Sequence, residues 1–253
     1  MRTSTTKSRS MSISNPTTAV SYPWLMLISR SALFLLFQLL IALVLVLAGT
    51  PSAWDESSRW WTFMAFLANF VSIYLLVRVF KVEGKRYIDA IRFSRQTWKT
   101  DLLLFFGTSF IAVPVAALPM NILGAAIFGD PMIPSLMMFR PLPSWAFVLA
   151  FLFPLTIGFA EMPTYFAYCM PRLATQLKNG WLAMLIASLF LAAQHMFLPL
   201  ILDGGFIVWR FLMYLPFALY AGLLLKLRPT LLPYVMITHA LADISAVLVY
   251  LTI

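Results

Sequence analysis

Long apolar stretches separated by short polar connections make up most of the chain. After a polar, Ser/Thr-rich segment at residues 1–23, seven stretches are apolar almost throughout. They comprise residues 24–49, 60–77, 102–128, 145–170, 181–200, 206–226 and 231–252. Each approaches or exceeds the roughly 17–25 residues that a helix needs to cross a bilayer. The pattern predicts an all-α, polytopic transmembrane helical bundle of about seven spanning helices. Residues 24–253 would form this single transmembrane domain, and residues 1–23 a disordered tail.

Composition supports a membrane protein. Hydrophobic residues make up 62% of the 253 positions and charged residues only 11%, against about 25% charged in soluble domains. So few charges could not cover the surface of a soluble globule, which argues against a soluble enzyme, a nucleic-acid-binding domain and a disordered protein. Cys169 is the single cysteine, so an internal disulfide and a cysteine metal cluster are excluded.

Basic residues fall on alternate connections. Residues 1–23, 78–101, 171–180 and 226–230 together hold 14 of the 18 Lys and Arg residues. Positive charge collects on the cytoplasmic side of membrane proteins, so the N-terminus is predicted to be cytoplasmic and the C-terminus outside. We expect an integral protein of the plasma membrane. The alternating basic connections account for its net charge of +9, so no nucleic-acid partner is expected. Segment 81–99 mixes basic and aromatic residues, and is either a helix lying on the inner leaflet or a solvated loop.

Four of the six ionisable side chains inside the spans are acids or histidines. They are Glu161, His195, His239 and Asp243, and they include both histidines of the chain. Counting about 1.5 Å per residue from the span ends places all four near mid-membrane. We predict that they converge on one polar cavity open to water on the cytoplasmic side. Arg30 and Arg210 also fall inside spans but lie outside this set.

These side chains suit hydrolysis without a covalent nucleophile. A carboxylate beside an imidazole can activate water, and a second histidine can stabilise an oxyanion. The same Glu/His/His set could bind zinc, although no H-E-x-x-H motif is present. An interhelical hydrogen-bond clamp or a proton relay would use the same residues.

Three short motifs resemble those of the CPBP family, which contains CAAX proteases and bacteriocin-processing enzymes. E-M-P-T-Y-F-A at residues 161–167, followed by P-R-L at 171–173, aligns with the family's E-E-x-x-x-R-G. L-A-A-Q-H at 191–195 aligns with F-x-x-x-H, and H-A-L-A-D at 239–243 with H-x-x-x-N. The resemblance covers residues 145–250, the protease-like core.

The resemblance implies an intramembrane endopeptidase that needs no cofactor or metal. Glu161 and His195 would activate water, while His239 and Asp243 would stabilise the oxyanion. Its partners would be the lipid bilayer and a membrane-associated peptide or protein substrate. Five positions depart from the motifs: Met162 for Glu, Phe166 for Arg, Ala167 for Gly, Leu191 for Phe and Asp243 for Asn. These departures leave two alternatives open, a non-catalytic pseudoprotease or immunity scaffold, and a transporter.

Overall fold

The computed structural model describes residues 16–248 and residue 250, and no strand occurs among them. The predicted all-α fold is therefore confirmed. The α-helices are α1 Pro16–Leu47, α2 Ala53–Ser58, α3 Trp61–Val82, α4 Tyr87–Ala90, α5 Trp98–Phe128, α6 Ile133–Met138, α7 Ser144–Ala150, α8 Leu152–Met162, α9 Met170–Leu177, α10 Gly180–Gln194, α11 Gly204–Leu227 and α12 Leu232–Leu248. A π-helix at Pro163–Cys169 joins α8 to α9, and short 3₁₀ turns at His195–Phe197 and Pro229–Leu231 follow α10 and α11.

Six helical stretches of the described chain are long and apolar enough to cross a membrane. They contain α1, α3, α5, α10, α11 and α12. The predicted Pro-rich span 102–128 is one continuous helix, α5, which passes through Pro114 and Pro119 without a break. The predicted fourth span is divided instead: α7 ends at Ala150, and α8, the π-helix and α9 then run consecutively from Leu152 to Leu177.

The first helix begins before the predicted apolar boundary. Residues 1–15 of the predicted tail lie outside the described part, but α1 starts at Pro16 rather than at Trp24. The early turns are tied to α9 by side-chain hydrogen bonds. Trp24 Nε1 donates to Gln176 Oε1 at 3.0 Å, and Gln176 Nε2 donates to the Val20 carbonyl at 3.0 Å. A tertiary contact therefore supports helical residues that hydropathy alone assigned to a tail.

The connections form two ends of the bundle that differ in charge. The basic end comprises the start of α1 and residues 83–97, 178–179 and 228–231, and the opposite end comprises residues 48–60, 129–143 and 198–203. At the basic end, Arg172 Nε lies 2.5 Å from Glu83 Oε1, and Arg228 Nε lies 2.7 Å from Asp101 Oδ1. Each ion pair joins a connection to a helix that is distant from it in sequence, α9 in the first case and α5 in the second.

Segment 81–99 is mostly an exposed loop, which is closer to the predicted solvated loop than to a helix lying on the inner leaflet. Between the end of α3 and the start of α5 it contains the four-residue helix α4, in which Tyr87 is buried and its hydroxyl donates to the Phe159 carbonyl. Pro163 has no N–H, so it cannot supply the usual α-helical hydrogen bond to that carbonyl. Tyr87 thus satisfies a carbonyl that the start of the π-helix leaves without its usual partner, which anchors the segment to α8.

A glycine sets the distance between α8 and α12. A Cβ built on Gly158 would lie only 2.7 Å from the Met236 carbonyl oxygen, so the two backbones are in direct contact. Small residues allow such approach between membrane helices. Glu161 and His239 each lie three residues further along, and side chains at i and i+3 share a helix face. The contact therefore brings the faces that carry these two side chains together.

Candidate functional site

Glu161 lies between the two histidines of the chain. It occupies the last turn of α8, while His195 follows the end of α10, and His239 and Asp243 lie one turn apart on α12. Glu161 Oε1 is 3.0 Å from His239 Nε2, and Glu161 Oε2 is 3.9 Å from His195 Nε2. Asp243 Oδ2 lies 3.5 Å from His239 Nε2. The structure thus brings all four predicted residues together.

The neighbours of His195 fix its ring orientation. Its Nδ1 lies 2.9 Å from the Leu191 carbonyl oxygen. A carbonyl only accepts hydrogen bonds, so Nδ1 carries the proton and Nε2 of the neutral ring keeps a lone pair. Tyr214 stacks on the ring at 3.6 Å between centroids, and Arg210 Nε donates to the His195 carbonyl at 3.3 Å. The Nε2 that faces Glu161 is therefore free to accept a proton.

His239 points its Nε2 atom toward two carboxylates. Its Nε2 lies between Glu161 Oε1 and Asp243 Oδ2, yet these three buried atoms have no well-directed hydrogen bond among the described residues. The Phe217 ring lies parallel to the imidazole at 6.2 Å. Buried polar atoms without partners are costly. This group can therefore gain hydrogen bonds from a polar ligand.

Arg30 is a member of the site that the sequence did not assign to it. Its fully buried guanidinium places Nη2 3.5 Å from Glu161 Oε2. Nε donates to Gln194 Oε1 at 2.7 Å, and Nη1 lies 3.1 Å from Asn69 Oδ1 and 3.2 Å from Ser72 Oγ. The available signal was an arginine in an apolar span, since such charges need a partner. Arg30 supplies the positive charge next to the Glu161 carboxylate.

Within the π-helix, one side chain of the first motif, Tyr165, reaches the hydrogen-bond network of Arg30 and Gln194. Tyr165 is fully buried and its hydroxyl donates to Gln194 Oε1 at 3.2 Å. Phe166, at the position of the family's Arg, is instead part of the apolar core. π-Helical segments are frequent at functional sites. Here the segment starts two residues after Glu161 and contributes to its surroundings through the hydrogen bond from Tyr165 to Gln194 of α10.

A cavity of about 110 Å³ leads away from the four residues. Its lining reaches Trp61 at the start of α3 and Ser135 in α6, both at the opposite end. Toward the basic end, Met162 and Leu191 are almost completely buried in the core. The lining therefore does not extend toward the basic connections, the side on which the opening was predicted. Counting residues along a helix gives the distance of a side chain from each end of the span. It does not show on which side of that side chain the neighbouring helices pack closely.

The Glu/His/His set does not form a metal-binding arrangement. Within the described ranges, no group of three or more His, Cys, Asp or Glu side chains is arranged to hold a metal ion. Cys169 is buried elsewhere, with its Sγ 3.4 Å from the Pro23 carbonyl oxygen. It makes no contact with the four site residues in the described structure.

Comparison of the chain with protein-family models, with curated proteins and with solved structures gives no match.

Proposed function

We propose that the chain is an integral membrane endopeptidase of the CPBP type, which hydrolyses a peptide bond with water activated by Glu161 and His195. One observation carries the proposal: the lone-pair nitrogen of His195 and the Glu161 carboxylate face each other at 3.9 Å. Two acceptors at this separation can share one water, because hydrogen bonds of about 2.8 Å to each atom can meet beside the gap. The water would then be held by one hydrogen to each group.

The reaction follows from these positions. Glu161 takes one proton as the water oxygen attacks the peptide carbonyl carbon, and His195 Nε2 orients the second hydrogen. The electron pair of the C=O bond moves to oxygen, where the Nε2–H of His239 stabilises the negative charge. When the C–N bond breaks, the proton on Glu161 passes to the leaving nitrogen. Asp243 Oδ2, 3.5 Å from His239 Nε2, helps to hold that ring in place.

The position of Arg30 supports a catalytically active endopeptidase over an inactive pseudoprotease. The first motif lacks its usual Arg, since Phe166 occupies that position. The guanidinium of Arg30 instead reaches Glu161 from α1, and three hydrogen bonds to α3 and α10 hold it there. A nearby cation favours the ionised carboxylate, the form that can accept a proton from water. The proposal assigns to Arg30 the supporting role that Phe166 cannot perform.

We further propose that the basic end faces the cytoplasm and that the segment from α8 to α9 completes a seventh crossing. The bilayer and a membrane-associated peptide or protein would be the partners. Hydrolysis by these four side chains requires no cofactor.

Purified wild type and Glu161→Gln provide the first test. Glutamine keeps the shape of the side chain but cannot take the proton, so peptide cleavage should fall by at least about 10²–10⁴-fold. Glu56→Gln, the same change outside the cavity, is the control and should cleave normally. Chelators should have little effect.

Three results would contradict the proposal. Wild-type cleavage by Glu161→Gln would remove this carboxylate from the mechanism. Activity that chelation abolishes and zinc restores would assign the chemistry to a metal. Absence of cleavage by the wild type across varied membrane peptides would favour the non-catalytic alternative.

A further inference from the structure

The cavity beside Glu161 has a polar floor and apolar walls. The four site residues form the floor. The walls include Trp61, Met120, Met138, Phe153, Trp209 and Met213. These wall residues come from α3, α5, α6, α8 and α11, so several helices enclose the same space. An apolar lining with convergent polar groups at one end is the usual form of a small-ligand site.

All the walls lie toward one end of the bundle. Trp61 is the first residue of α3, Met138 the last of α6, and Trp209 lies near the start of α11. These positions belong to the half of the bundle next to the opposite end. On the other side of Glu161, Met162 and Tyr165 are fully buried in close-packed surroundings. The cavity therefore extends from the floor toward the opposite end, and buried side chains fill the basic side of the floor.

From this geometry we infer that the substrate enters from the end opposite the basic connections and places one bulky apolar side chain in the cavity. The inference rests on the proposed endopeptidase function and adds a direction of entry and a side-chain class. With the basic end in the cytoplasm, the substrate would be a peptide presented on the outer side of the membrane.

The volume and chemistry of the cavity define the side chain. A space of about 110 Å³ holds three or four waters at about 30 Å³ each. The four carbons of a leucine side chain fill a similar space. A buried charge would find no counterion among these wall residues. Arg210 also lines the cavity, but its guanidinium already donates to the carbonyls of His195 and Leu198 and to the Tyr214 hydroxyl. Met120, Met138 and Met213 are flexible, so somewhat larger apolar side chains can also be accommodated.

Thiol labelling tests the entry route independently of activity. In a Cys169→Ala background, single cysteines replace Ala246 near the floor, Ser135 near the mouth, and Ser94 at the basic end as the matched control. In sealed vesicles, a membrane-impermeant maleimide should label Ala246→Cys and Ser135→Cys from the same side, and Ser94→Cys from the other side. Labelling of Ala246→Cys from the Ser94 side would overturn the route.

Competition tests the side-chain class. An acetylated alanine pentapeptide with a central leucine should protect Ala246→Cys from the maleimide, and the same peptide with a central aspartate should not. Equal protection by both peptides, or by neither, would overturn the assignment of an apolar side chain.

Cleavage kinetics connect the pocket to the reaction. The leucine peptide should be cleaved with a kcat/KM at least about 10-fold above that of the all-alanine peptide, the discrimination that even one methylene gives in an apolar pocket. Met138→Trp fills the cavity and should remove this preference. Met132→Trp, an exposed methionine just before α6, should retain it.

The two proposals fail in distinguishable ways. Labelling and protection as expected, without cleavage, would overturn the endopeptidase and support the entry route. Cleavage that depends on Glu161, with Ala246→Cys labelled from the basic end, would support the endopeptidase and overturn the entry route. A leucine preference that survives Met138→Trp would overturn the role of this cavity in specificity.

Discussion

Replacing Gly158 by alanine should disturb the site without touching any of its side chains. The new Cβ would meet the Met236 carbonyl oxygen at 2.7 Å, whereas ordinary contact begins at 3.4 Å. Because the Met236 carbonyl belongs to the backbone, no side-chain rotation can relieve the clash, and α8 and α12 must separate by about 0.7 Å. Glu161 and His239 lie one turn further along these helices. Their present separation of 3.0 Å would increase by a similar amount.

The magnitude follows from this displacement. Overpacking of a close helix contact costs about 1–3 kcal/mol of unfolding free energy. A misplacement of about 1 Å can reduce catalysis by about 10²-fold. Gly158→Ala should therefore lower both the midpoint of thermal unfolding in detergent and kcat for peptide cleavage.

Gly107→Ala provides the matched control. Gly107 lies within α5, and a Cβ there would meet no atom within 4 Å. Alanine in a helix interior is favoured over glycine by roughly 0.5–1 kcal/mol, so this variant should be slightly stabilised and fully active. If Gly158→Ala behaved in the same way, the close contact between α8 and α12 would not control the Glu161–His239 geometry.

Three further predictions concern charge and topology. Arg30→Met should cost about 3–5 kcal/mol of unfolding free energy, because it removes the arginine paired with buried Glu161. Thermal unfolding should show partial recovery in the double variant with Glu161→Gln, and additive losses would contradict the pairing. At the basic end, burial raises the pKa of Glu83, but the hydrogen bond and charge of Arg172 outweigh it and the pKa is lowered. This pair therefore stabilises the fold above the unfolded-state pKa of about 4.3 and loses that effect as pH falls further. Arg172→Gln should lower the free energy of unfolding at neutral pH by no more than about 1 kcal/mol. The difference in stability between this variant and the wild type should shrink below about pH 4. A difference that stayed constant with pH would show that the ion pair does not contribute. A reporter fused to the C-terminus should lie outside the cell, and a cytoplasmic reporter would refute the seven-crossing topology.

The long helices were predictable from the sequence because hydropathy largely determines which segments transfer from water into the bilayer. Most of the apolar stretches correspond to spanning helices, and the prolines of α5 did not mislead because lipid offers the backbone no alternative partners. The division of the fourth stretch was not predictable from hydropathy. It involves Pro163 and the hydrogen bond from Tyr87 to the Phe159 carbonyl, and that bond depends on contact between distant segments.

The sequence predicted four side chains of the site, but it did not predict Arg30 or the direction of the cavity. Ionisable groups are so costly in the membrane that Glu161 and His239 had few possible partners, and their convergence followed from composition. The pairing of Arg30 with Glu161 required the rotation of α1 about its axis, which an almost uniformly apolar helix does not encode. The direction of the cavity depended on how completely neighbours such as Tyr165 fill the basic half of the bundle.

The ion pair between Arg30 and Glu161 also has a consequence for biogenesis. The first helix emerges from the ribosome long before α8, so Arg30 enters the membrane without its carboxylate. Insertion of an arginine at mid-membrane costs about 2.5–3.5 kcal/mol, which the many leucines of α1 can offset at about 0.3–0.6 kcal/mol each. Asn69 and Ser72 arrive next with α3 and can hydrogen-bond the waiting guanidinium. Its charge is balanced only when Glu161 follows, so α1 is held in its final place by a helix that is synthesised well after it.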